Sequence, residues 1–367
     1  MTQKRTDNDR ADSSIAHARL RTQRITQPAD SDPVEIVRSL GAVQAQDFAA
    51  AKWAVGLRTQ HPSDAAVTAA FNDGQILRAH VLRPTWHFVA AEDIRWMLEL
   101  TAPRVNQAAA SMYRRLGLDD MQFQRSQAIF QRALEGGRSL TRPEMIEALN
   151  RAGIEMSSID YVHLLMRAEL DGVICSGPVR GKQQSYALVE ERVPQTSPLD
   201  RDNALAELTV RYYRGHGPAT IKDFSWWSGL TLSDVRRGLQ IAAGNVTSRV
   251  VDDVEYWHAA EFEWDRLRIT SLHLLPNYDE YVVGYADRNA YWHPSHDGAE
   301  MSRSNPLFNH TIVIDGRIRG TWTRKLRKSA VDVTVNLFEP VDRQTETALD
   351  GEVEKYGRFL GLSARRV

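Results

Sequence analysis

One order of segments occurs three times in this sequence of 367 residues, and it constrains the fold more than any other feature. In each copy, two or three stretches with helical hydrophobic spacing precede two strand-like stretches joined by a turn. This is the order of a winged helix, a helix-turn-helix variant whose wing is the hairpin. A chain of this length also exceeds one ordinary core, so we expect several units in tandem.

The second copy carries the clearest signals. Residues 141–144 (TRPE) form a capping-box sequence with proline in the first turn, and they predict the start of a helix. Another helix is expected from near Ser158 to Gly172, and strands at 173–175 and 186–188 should follow it.

The other two copies repeat this order. In the third copy, residues 220–223 (TIKD) form another capping-box sequence, and Ser233 is expected to cap the helix after it. The elements predicted for the first copy are helices near 34–40, 48–57 and 63–71 and strands near 76–82 and 85–89. Those predicted for the third copy are helices near 203–213, 220–227 and 233–241 and strands near 247–252 and 255–258.

The segment after about residue 270 differs, because strand-like stretches dominate it. Residues 272–285, 310–322 and 330–340 are typical of strands, with 315–316 (DG) as a hairpin turn. A final helix near 349–360 carries apolar residues at helical spacing and should pack on the sheet.

We therefore predict an α+β fold of three tandem winged-helix units followed by a small C-terminal β-barrel-like module. The predicted parts are a disordered tail at 1–14, winged-helix units at 15–120, 121–195 and 196–265, and the barrel-like module at 266–367.

Composition limits the partners and cofactors. The net charge is −1, so the chain as a whole does not attract nucleic acid, and any such contact requires a local basic patch. Cys175 is the only cysteine, which excludes an intrachain disulfide and a cysteine-based zinc site, and His293 and His296 lack further spaced ligands. We expect no metal and no cofactor. Neither a signal peptide nor an apolar run of ~20 residues appears, so we expect a cytoplasmic protein that does not enter a membrane.

The stretch VQAQDFAAAKW contains Gln44 and Gln46, the most informative side chains for function. On a regular helix, residues at i and i+2 point roughly 200° apart, so the two amides converge only on extended or turning backbone. Gly41 ends the preceding helix and Asp47 suits the cap of the next, so such backbone is expected between them. Paired amides there could grip a water molecule or one edge of a base. The alternative is that they cap helix ends or face solvent.

A polar face is predicted on residues 80–89 (HVLRPTWHFV). If this stretch is one strand, Arg83, Thr85 and His87 share a face and the apolar side chains share the other. The polar face lies in the same unit as the glutamines and could form a wall of a substrate or DNA site. A solvated wing surface is an equally weighted alternative.

The stretch RIRGTWTRKLRK (317–328) is the densest positive segment, because six of its twelve residues are basic. Its cations are Arg317, Arg319, Arg324, Lys325, Arg327 and Lys328. A basic hairpin that also carries Trp322 could follow phosphates and touch a groove of DNA. Ordinary solvated strand surface is the alternative.

Asp279 and Glu280 are adjacent carboxylates in a predicted strand, where neighbours point to opposite faces. They are therefore a poor acid–base pair and are expected to anchor a turn. The sequence has no glycine-rich phosphate loop, no nucleophile elbow and no metalloprotease helix.

Three stretches resemble the bacterial winged-helix DNA glycosylase superfamily, whose best-known branch is the AlkZ-like (azinomycin-resistance) type. They are VQAQDFAAAKWAVGLR (43–58), ILRAHVLRPTWHFVAAEDIRWMLELTAPRV (76–105) and LLPNYDEYVVGYADR (274–288). The resemblance spans about residues 15–360. It implies three tandem winged helices, a C-terminal β-barrel and a Gln-x-Gln catalytic motif, which Gln44 and Gln46 match. A sister branch replaces the second glutamine by aspartate, and this chain does not.

The resemblance implies a monofunctional DNA glycosylase that removes cationic N7-alkylpurine adducts, a range that could extend to bulky or crosslinked toxin adducts. Alkylation at N7 makes the base a cation and so an activated leaving group. Neutral amides can then suffice to stabilise an oxocarbenium-like sugar and to orient water. No lysine lies within the motif, which argues against a Schiff-base lyase step. We expect a monomer that acts on double-stranded DNA.

Two other classes of function stay open from the sequence. One is a non-catalytic winged-helix DNA-binding protein such as a regulator, and the other is a scaffold whose winged helices bind protein. Three winged helices in one chain do not resemble a dimeric repressor, which weighs against the first.

Overall fold

The structure is a computed structural model that describes residues 14–157, 160–264, 270–292 and 308–367. It has an α+β fold in which three helix-and-hairpin units precede a five-stranded sheet. The predicted tail (1–14) lies outside the described residues except for Ser14, which begins a helix. His293 and His296 also lie outside them.

The first unit is built around a three-stranded antiparallel sheet of order β1-β3-β2. Its elements are α1 (14–22), α2 (Pro33–Leu40), β1 (Val43–Gln44), α3 (Phe48–Gly56), α4 (Asp64–Asn72), β2 (Ile76–His80), β3 (Trp86–Ala90) and α5 (Ile94–Arg115). Asp32 caps α2 and Asp47 caps α3, each by accepting a hydrogen bond from a backbone amide three residues ahead. The helices predicted at 34–40, 48–57 and 63–71 are confirmed within one residue at each end.

The continuous strand predicted over residues 80–89 is wrong. β2 ends at His80 and β3 begins at Trp86. Between them, Leu82 adopts a left-handed φ of 63°, and Pro84 has no amide to donate to a ladder. Arg83 and Thr85 therefore lie in a turn and not on a strand face.

The second unit matches its local signals. Its elements are α6 (Asp120–Leu134), β4 (Leu140–Thr141), α7 (Arg142–Arg151), α8 (Tyr161–Leu170), β5 (Ile174–Ser176), β6 (Ser185–Leu188) and α9 (Val189–Arg192). Thr141 and Glu144 form the predicted capping box at the start of α7. The sheet has the order β4-β6-β5.

The third unit pairs three helices with a two-stranded hairpin. Its elements are α10 (Arg201–His216), α11 (Ile221–Ser228), α12 (Leu232–Ile241), β7 (Val246–Val251) and β8 (Val254–Ala259). The capping box of Thr220 and Asp223 is confirmed. Ser233 does not cap α12, because Thr231 does so in a further capping box with Asp234.

The last part contains one sheet of order β13-β12-β11-β10-β9. Its elements are β9 (Leu272–Leu275), α13 (Glu280–Val283), β10 (His310–Ile314), β11 (Arg317–Leu326), β12 (Ala330–Leu337), α14 (Arg343–Leu360) and β13 (Ser363–Arg366). The predicted hairpin turn at 315–316 joins β10 to β11. Residues 272–285 are not one strand, because the chain leaves the sheet after Leu275 and forms the short helix α13. Within the described residues, no ladder joins β9 to β13.

The parts share one apolar core that runs through all of them. Trp53 on α3 packs against Tyr356 and Phe359 on α14, with ring centroids 5.1 Å and 4.9 Å apart. The backbones of α2 and α10 also approach closely, since a Cβ added at Gly215 would lie 2.7 Å from the carbonyl oxygen of Ser39. In the part of the chain that the structure describes, no helix is both long and apolar enough to cross a membrane.

Candidate functional site

The backbone of the Gln-Ala-Gln triplet is extended. Gln44 lies in β1 opposite His87, and the amide of Ala45 donates to the carbonyl of Trp86 at 2.7 Å. The chain then turns at Gln46 into α3. The strand therefore includes Gln44 but not Gln46, which lies in the bend between β1 and α3. Gln44 is buried and Gln46 is exposed.

Arg78 holds the carbonyl side of this triplet. Its guanidinium donates to the backbone oxygen of Ala45 at 2.8 Å and to that of Gln46 at 3.3 Å. It also stacks on Trp86, with 4.3 Å between the guanidinium carbon and the ring centroid. The turn that presents Gln46 is therefore fixed by a cation from β2.

The amide proton of Gln44 points away from the sheet, toward the last part of the chain. It donates to Glu280 Oε1 at 2.6 Å. The other oxygen of this fully buried carboxylate accepts hydrogen bonds from Trp227 Nε1 at 2.9 Å and from His216 Nε2 at 3.2 Å. The prediction that Glu280 only anchors a turn is therefore incomplete, since it contacts the motif.

Arg83 contacts the side chain of Gln44. One guanidinium nitrogen of Arg83 donates to Gln44 Oε1 at 3.1 Å. Because arginine can only donate, this contact turns the amide oxygen toward Arg83 and leaves the NH₂ group free to point elsewhere. Burial lowers the pKa of Arg83, and the charge of Glu280 opposes that shift.

The other two residues predicted for a polar face are placed differently. The hydroxyl oxygen of Thr85 is buried and has no hydrogen-bond partner among the described residues. His87 is fully buried on β3, opposite Gln44. Burial and the nearby Arg83 lower the pKa of His87 to about 3, so its ring is neutral near pH 7. His87 is therefore not part of a solvated surface, whereas Arg83 and Thr85 are half-buried.

Trp226 on α11 lies beside Arg83, the residue that contacts the Gln44 side chain. The guanidinium carbon of Arg83 lies 5.5 Å from the centroid of its ring. Its indole nitrogen donates to the carbonyl of Val283 at 3.2 Å, which fixes the ring orientation. The side chain is nevertheless 43% exposed, an unusual fraction for tryptophan in a folded core. Its exposed surface is suited to stack on a planar ligand.

A second aromatic pair lies on the side of Asp47. The rings of Tyr278 and Phe308 meet edge to face at 5.6 Å, and Phe308 is exposed. Tyr278 has a left-handed φ of 58°, which a bulky residue rarely adopts. Burial and the nearby carboxylate of Asp47 raise the pKa of Tyr278.

The six predicted cations of the basic stretch differ in exposure and in their partners. Arg324 lies with a guanidinium nitrogen 2.9 Å from His310 Nε2, while Arg327 donates to Asp332 at 2.6 Å. Lys325 and Lys328 are exposed, whereas Arg317 and Arg319 are half-buried. Trp322 is buried and donates to the carbonyl of Leu275 at 2.8 Å. It therefore cannot touch a groove, contrary to our expectation.

Sequence reasoning missed Glu280 and Trp226 as neighbours of the motif. A signal for Glu280 exists, since a charged residue between two apolar runs must find a partner when it is buried. No comparable signal marks Trp226. Among the described residues, no group of three or more His, Cys, Asp or Glu side chains is placed to hold a metal ion.

Comparisons with known proteins agree with this fold. The family described as DNA glycosylase AlkZ-like matches residues 37–359. A curated relative, the interstrand DNA cross-link repair glycosylase of Streptomyces sahachiroi, is 26% identical over 356 residues, which cover 92% of each chain. The solved structure of Streptomyces sahachiroi DNA glycosylase AlkZ superposes with a TM-score of 0.79 at 22% identity. The match covers 97% of this chain and 99% of that chain.

The family match includes both glutamines, the turn that carries Arg83 and the segment that carries Glu280. It extends over 37–359 of the 367 residues, far more than half of the sequence. This chain therefore belongs to the AlkZ-like DNA glycosylase family.

Proposed function

We propose that this DNA glycosylase hydrolyses the N-glycosidic bond of cationic N7-alkylpurine nucleotides in double-stranded DNA, with Gln44 and Gln46 as its catalytic residues. The observation that supports the proposal is that Gln44, in β1, and Gln46, in the bend before α3, lie two residues apart beside the turn that carries Arg83. Arg83 and Glu280 fix the first glutamine, and Gln46 remains exposed to a substrate.

The chemistry suits neutral amides. Alkylation at N7 puts a positive charge on the purine, so the bond from C1′ to N9 breaks with its electron pair moving onto the base, which leaves neutral. Water adds its oxygen to C1′ and releases a proton to solvent. The glutamine dipoles stabilise the positive sugar and orient this water. An unmodified purine lacks the charge and is a poor substrate for such a site.

The position of Lys52 supports a monofunctional reaction. Lys52 is the lysine nearest the motif in the sequence, and its ammonium nitrogen lies 2.7 Å from Asp64. An amine held as an ammonium ion beside a carboxylate is not a nucleophile for C1′. The enzyme should therefore leave an abasic site and should not cut the strand.

Bulky and crosslinked adducts are part of the proposed range. The curated relative is named for the repair of interstrand DNA cross-links. In this chain, Trp226 lies beside Arg83 and the pair Tyr278 and Phe308 lies on the side of Asp47, and we propose that they border a groove at Gln46. Trp226 and Phe308 are exposed. An open groove of this kind accepts a large adduct without rotating it into a closed pocket.

The proposal also covers the domain division, the oligomeric state and the DNA contacts of the protein. We take the units at 15–120, 121–195 and 196–265 as winged helices and 266–367 as a partly open barrel-like module. The protein is proposed to act as a monomer in the cytoplasm. Arg83, Thr85 and His87 would line the lesion site, and Arg317, Arg319, Arg324, Lys325, Arg327 and Lys328 would contact DNA.

The decisive experiment measures the release of N7-methylguanine from a duplex under single-turnover conditions. Replacing Gln44 or Gln46 by Ala should slow release by roughly 10²-fold or more, the size expected for losing one preorganised dipole. Gln60→Ala is a matched control, because Gln60 is an exposed glutamine in the same unit. DNA binding should stay unchanged in all three variants. Rates near that of the wild type in both motif variants would reject the assignment, and binding without any release would favour a non-catalytic DNA-binding protein.

A further inference from the structure

Glu280 joins the glutamine motif to the third unit and to the last part of the chain. It lies on α13, yet its carboxylate contacts Gln44 on β1 and two residues of the third unit, Trp227 and His216. The side chain is 0% exposed. A buried carboxylate is costly unless its oxygens accept hydrogen bonds, and here three donors surround it.

The contact with Gln44 follows from the direction of the strand amides. Successive amides of a strand point to opposite sides, and that of Ala45 pairs with β3. The amide of Gln44 therefore points away from the sheet, where β1 has no further strand beside it. Glu280 Oε1 occupies the place that a carbonyl of another strand would take, at 2.6 Å from the amide nitrogen.

The carboxylate is held in its charged form. Burial alone would raise the pKa of Glu280, but the hydrogen bond and charge of His216 and the amide of Gln44 outweigh burial and keep the pKa below its ordinary value. The same negative charge favours the guanidinium of Arg83 nearby. Glu280 thus contacts the backbone of Gln44 directly. It also favours the charged form of Arg83, which holds the side-chain oxygen of Gln44.

We infer that Glu280 is a positioning residue for base release: it fixes the backbone of Gln44 so that the side-chain amide meets the sugar and water in one orientation. It does not touch the substrate, because no part of it is exposed. This inference rests on the proposed catalytic role of Gln44.

The neighbouring carboxylate supplies a matched control. Asp279 is equally buried, and its two oxygens accept hydrogen bonds from the guanidinium of Arg58 at 2.8 Å and 2.9 Å. Its Oδ1 also caps α13 by accepting from the amide of Tyr281 at 2.9 Å, a cap that asparagine can keep. Neither oxygen contacts the motif in a described hydrogen bond. Replacing either acid by its amide removes one buried charge, so both variants should lose stability. Only E280Q should also disturb Gln44.

The test compares E280Q with D279N in the full-length protein, well below the melting temperature of each. E280Q should slow single-turnover release of N7-methylguanine by roughly 10-fold or more, with duplex Kd changed by less than about 2-fold. D279N should lower the melting temperature and leave the rate constant unchanged. Equal effects of the two variants on the rate would show that Glu280 has only a structural role and would overturn the inference.

A second readout does not depend on catalysis. The amide proton of Gln44, observed by NMR with ¹⁵N-labelled glutamine, should lie downfield in the wild type and should exchange faster with solvent when Glu280 is replaced. E280D, which retains the charge but shortens the reach, serves if E280Q does not fold. If the wild type releases no base, the proposed function fails, and the NMR result still decides the contact. An unchanged Gln44 resonance in the variant would refute it.

Discussion

The guanidinium of Arg83 donates a hydrogen bond of 3.1 Å to the side-chain oxygen of Gln44. The two residues are 39 positions apart, and the contact exists because β1 and β3 pair with Gln44 opposite His87 while the turn before β3 carries Arg83. It turns the oxygen end of the amide toward Arg83. Lysine could keep the charge at this position but not the planar fork of donors.

Arg83→Lys should therefore slow base release by roughly 10-fold or more, since a hydrogen bond to a charged group contributes about 1.5–3 kcal/mol. Single-turnover release from an N7-methylguanine duplex measures this effect. Arg95→Lys is the control, because Arg95 pairs at 3.2 Å with the exposed Glu190. If R83K reacts at the wild-type rate, Gln44 is oriented without Arg83.

The exposed lysines of the basic stretch should carry a nonspecific share of DNA binding. Replacing Lys325 and Lys328 by Ala should weaken binding to all sequences alike and reduce the salt slope by about two. The matched pair is Arg327→Ala with Arg365→Ala, whose side chains both lie against Asp332. That pair should change the slope less. Titrations of an undamaged duplex at several salt concentrations provide the comparison, and an unchanged slope in the lysine variant would return these residues to solvated surface.

Trp226 should contribute to the binding of N7-alkylated DNA but not to the binding of undamaged duplex. Stacking of a base on an aromatic ring contributes about 1–3 kcal/mol, so Trp226→Ala should weaken binding of N7-alkylated duplex by roughly 10-fold and leave undamaged duplex unaffected. Leu232→Ala, at another exposed apolar residue of the same unit, is the control. Equal losses on damaged and undamaged DNA would contradict a stacking role.

The size of the adduct separates an open groove from base flipping. If the groove is open, small and bulky N7 adducts should both be excised, and lesion charge should decide the rate more than base shape does. Parallel time courses with methyl and large polycyclic N7 adducts test this. If the enzyme removes methyl adducts and no bulky adduct, base flipping explains the reaction better than an open groove does.

Two buried histidines, His87 and His273, and the half-buried His310 should make the protein sensitive to acid. Burial is the main cause that lowers the pKa values of His87 and His273 to about 3 and of His310 to about 4, against 6.5 for a free ring. Below pH 6.5 the unfolded chain takes up protons at these rings and the folded protein does not. The free energy of unfolding therefore falls as pH falls, by about 1.4 kcal/mol per pH unit for each ring, until the folded-state pKa values are reached.

Urea unfolding at several pH values between 6.5 and 4.5 measures this slope. His273→Asn should reduce the slope of the unfolding free energy against pH by the contribution of one ring, about 1.4 kcal/mol per pH unit. A replacement of the exposed His61 is the control. A slope that His273→Asn does not alter would mean that this ring titrates alike in the folded and unfolded states. His87 is also expected to remain neutral during catalysis. Between pH 5.5 and 8, the pH–rate profile of base release should therefore have the same shape in the wild type and in His87→Asn.

Local signals in the sequence predicted local structure well. The capping boxes at Thr141 and Thr220 and the hairpin turn at 315–316 each depend on residues within four positions of one another, and all three are confirmed. The same rule could have identified Thr231, whose partner Asp234 is three residues ahead. The prediction of Ser233 failed because it followed the nearest serine and not the complete box.

Local sequence signals could not predict which residues surround the glutamines. The hydrogen bond from Gln44 to Glu280 spans 236 positions and depends on how the last part of the chain packs against β1. The alternation assumed for residues 80–89 failed because Pro84 and the left-handed Leu82 turn the chain. The sequence thus predicted that the glutamines lie on extended or turning backbone between two helices, but not which side chains hold them.

Both outer strands of the first sheet end against a carboxylate from another part of the chain. Glu280 accepts the amide of Gln44 on β1, and Glu169 accepts the amide of His80 on β2 at 3.1 Å. Translation reaches Gln44 and Gln46 long before it reaches Glu169 and Glu280. If the glutamines are catalytic and Glu280 aligns them as proposed, the nascent chain carries them through most of synthesis without that carboxylate. Base-releasing activity should first appear when the segment around Glu280 has emerged and docked, which makes the folding of the last part the event that switches the enzyme on.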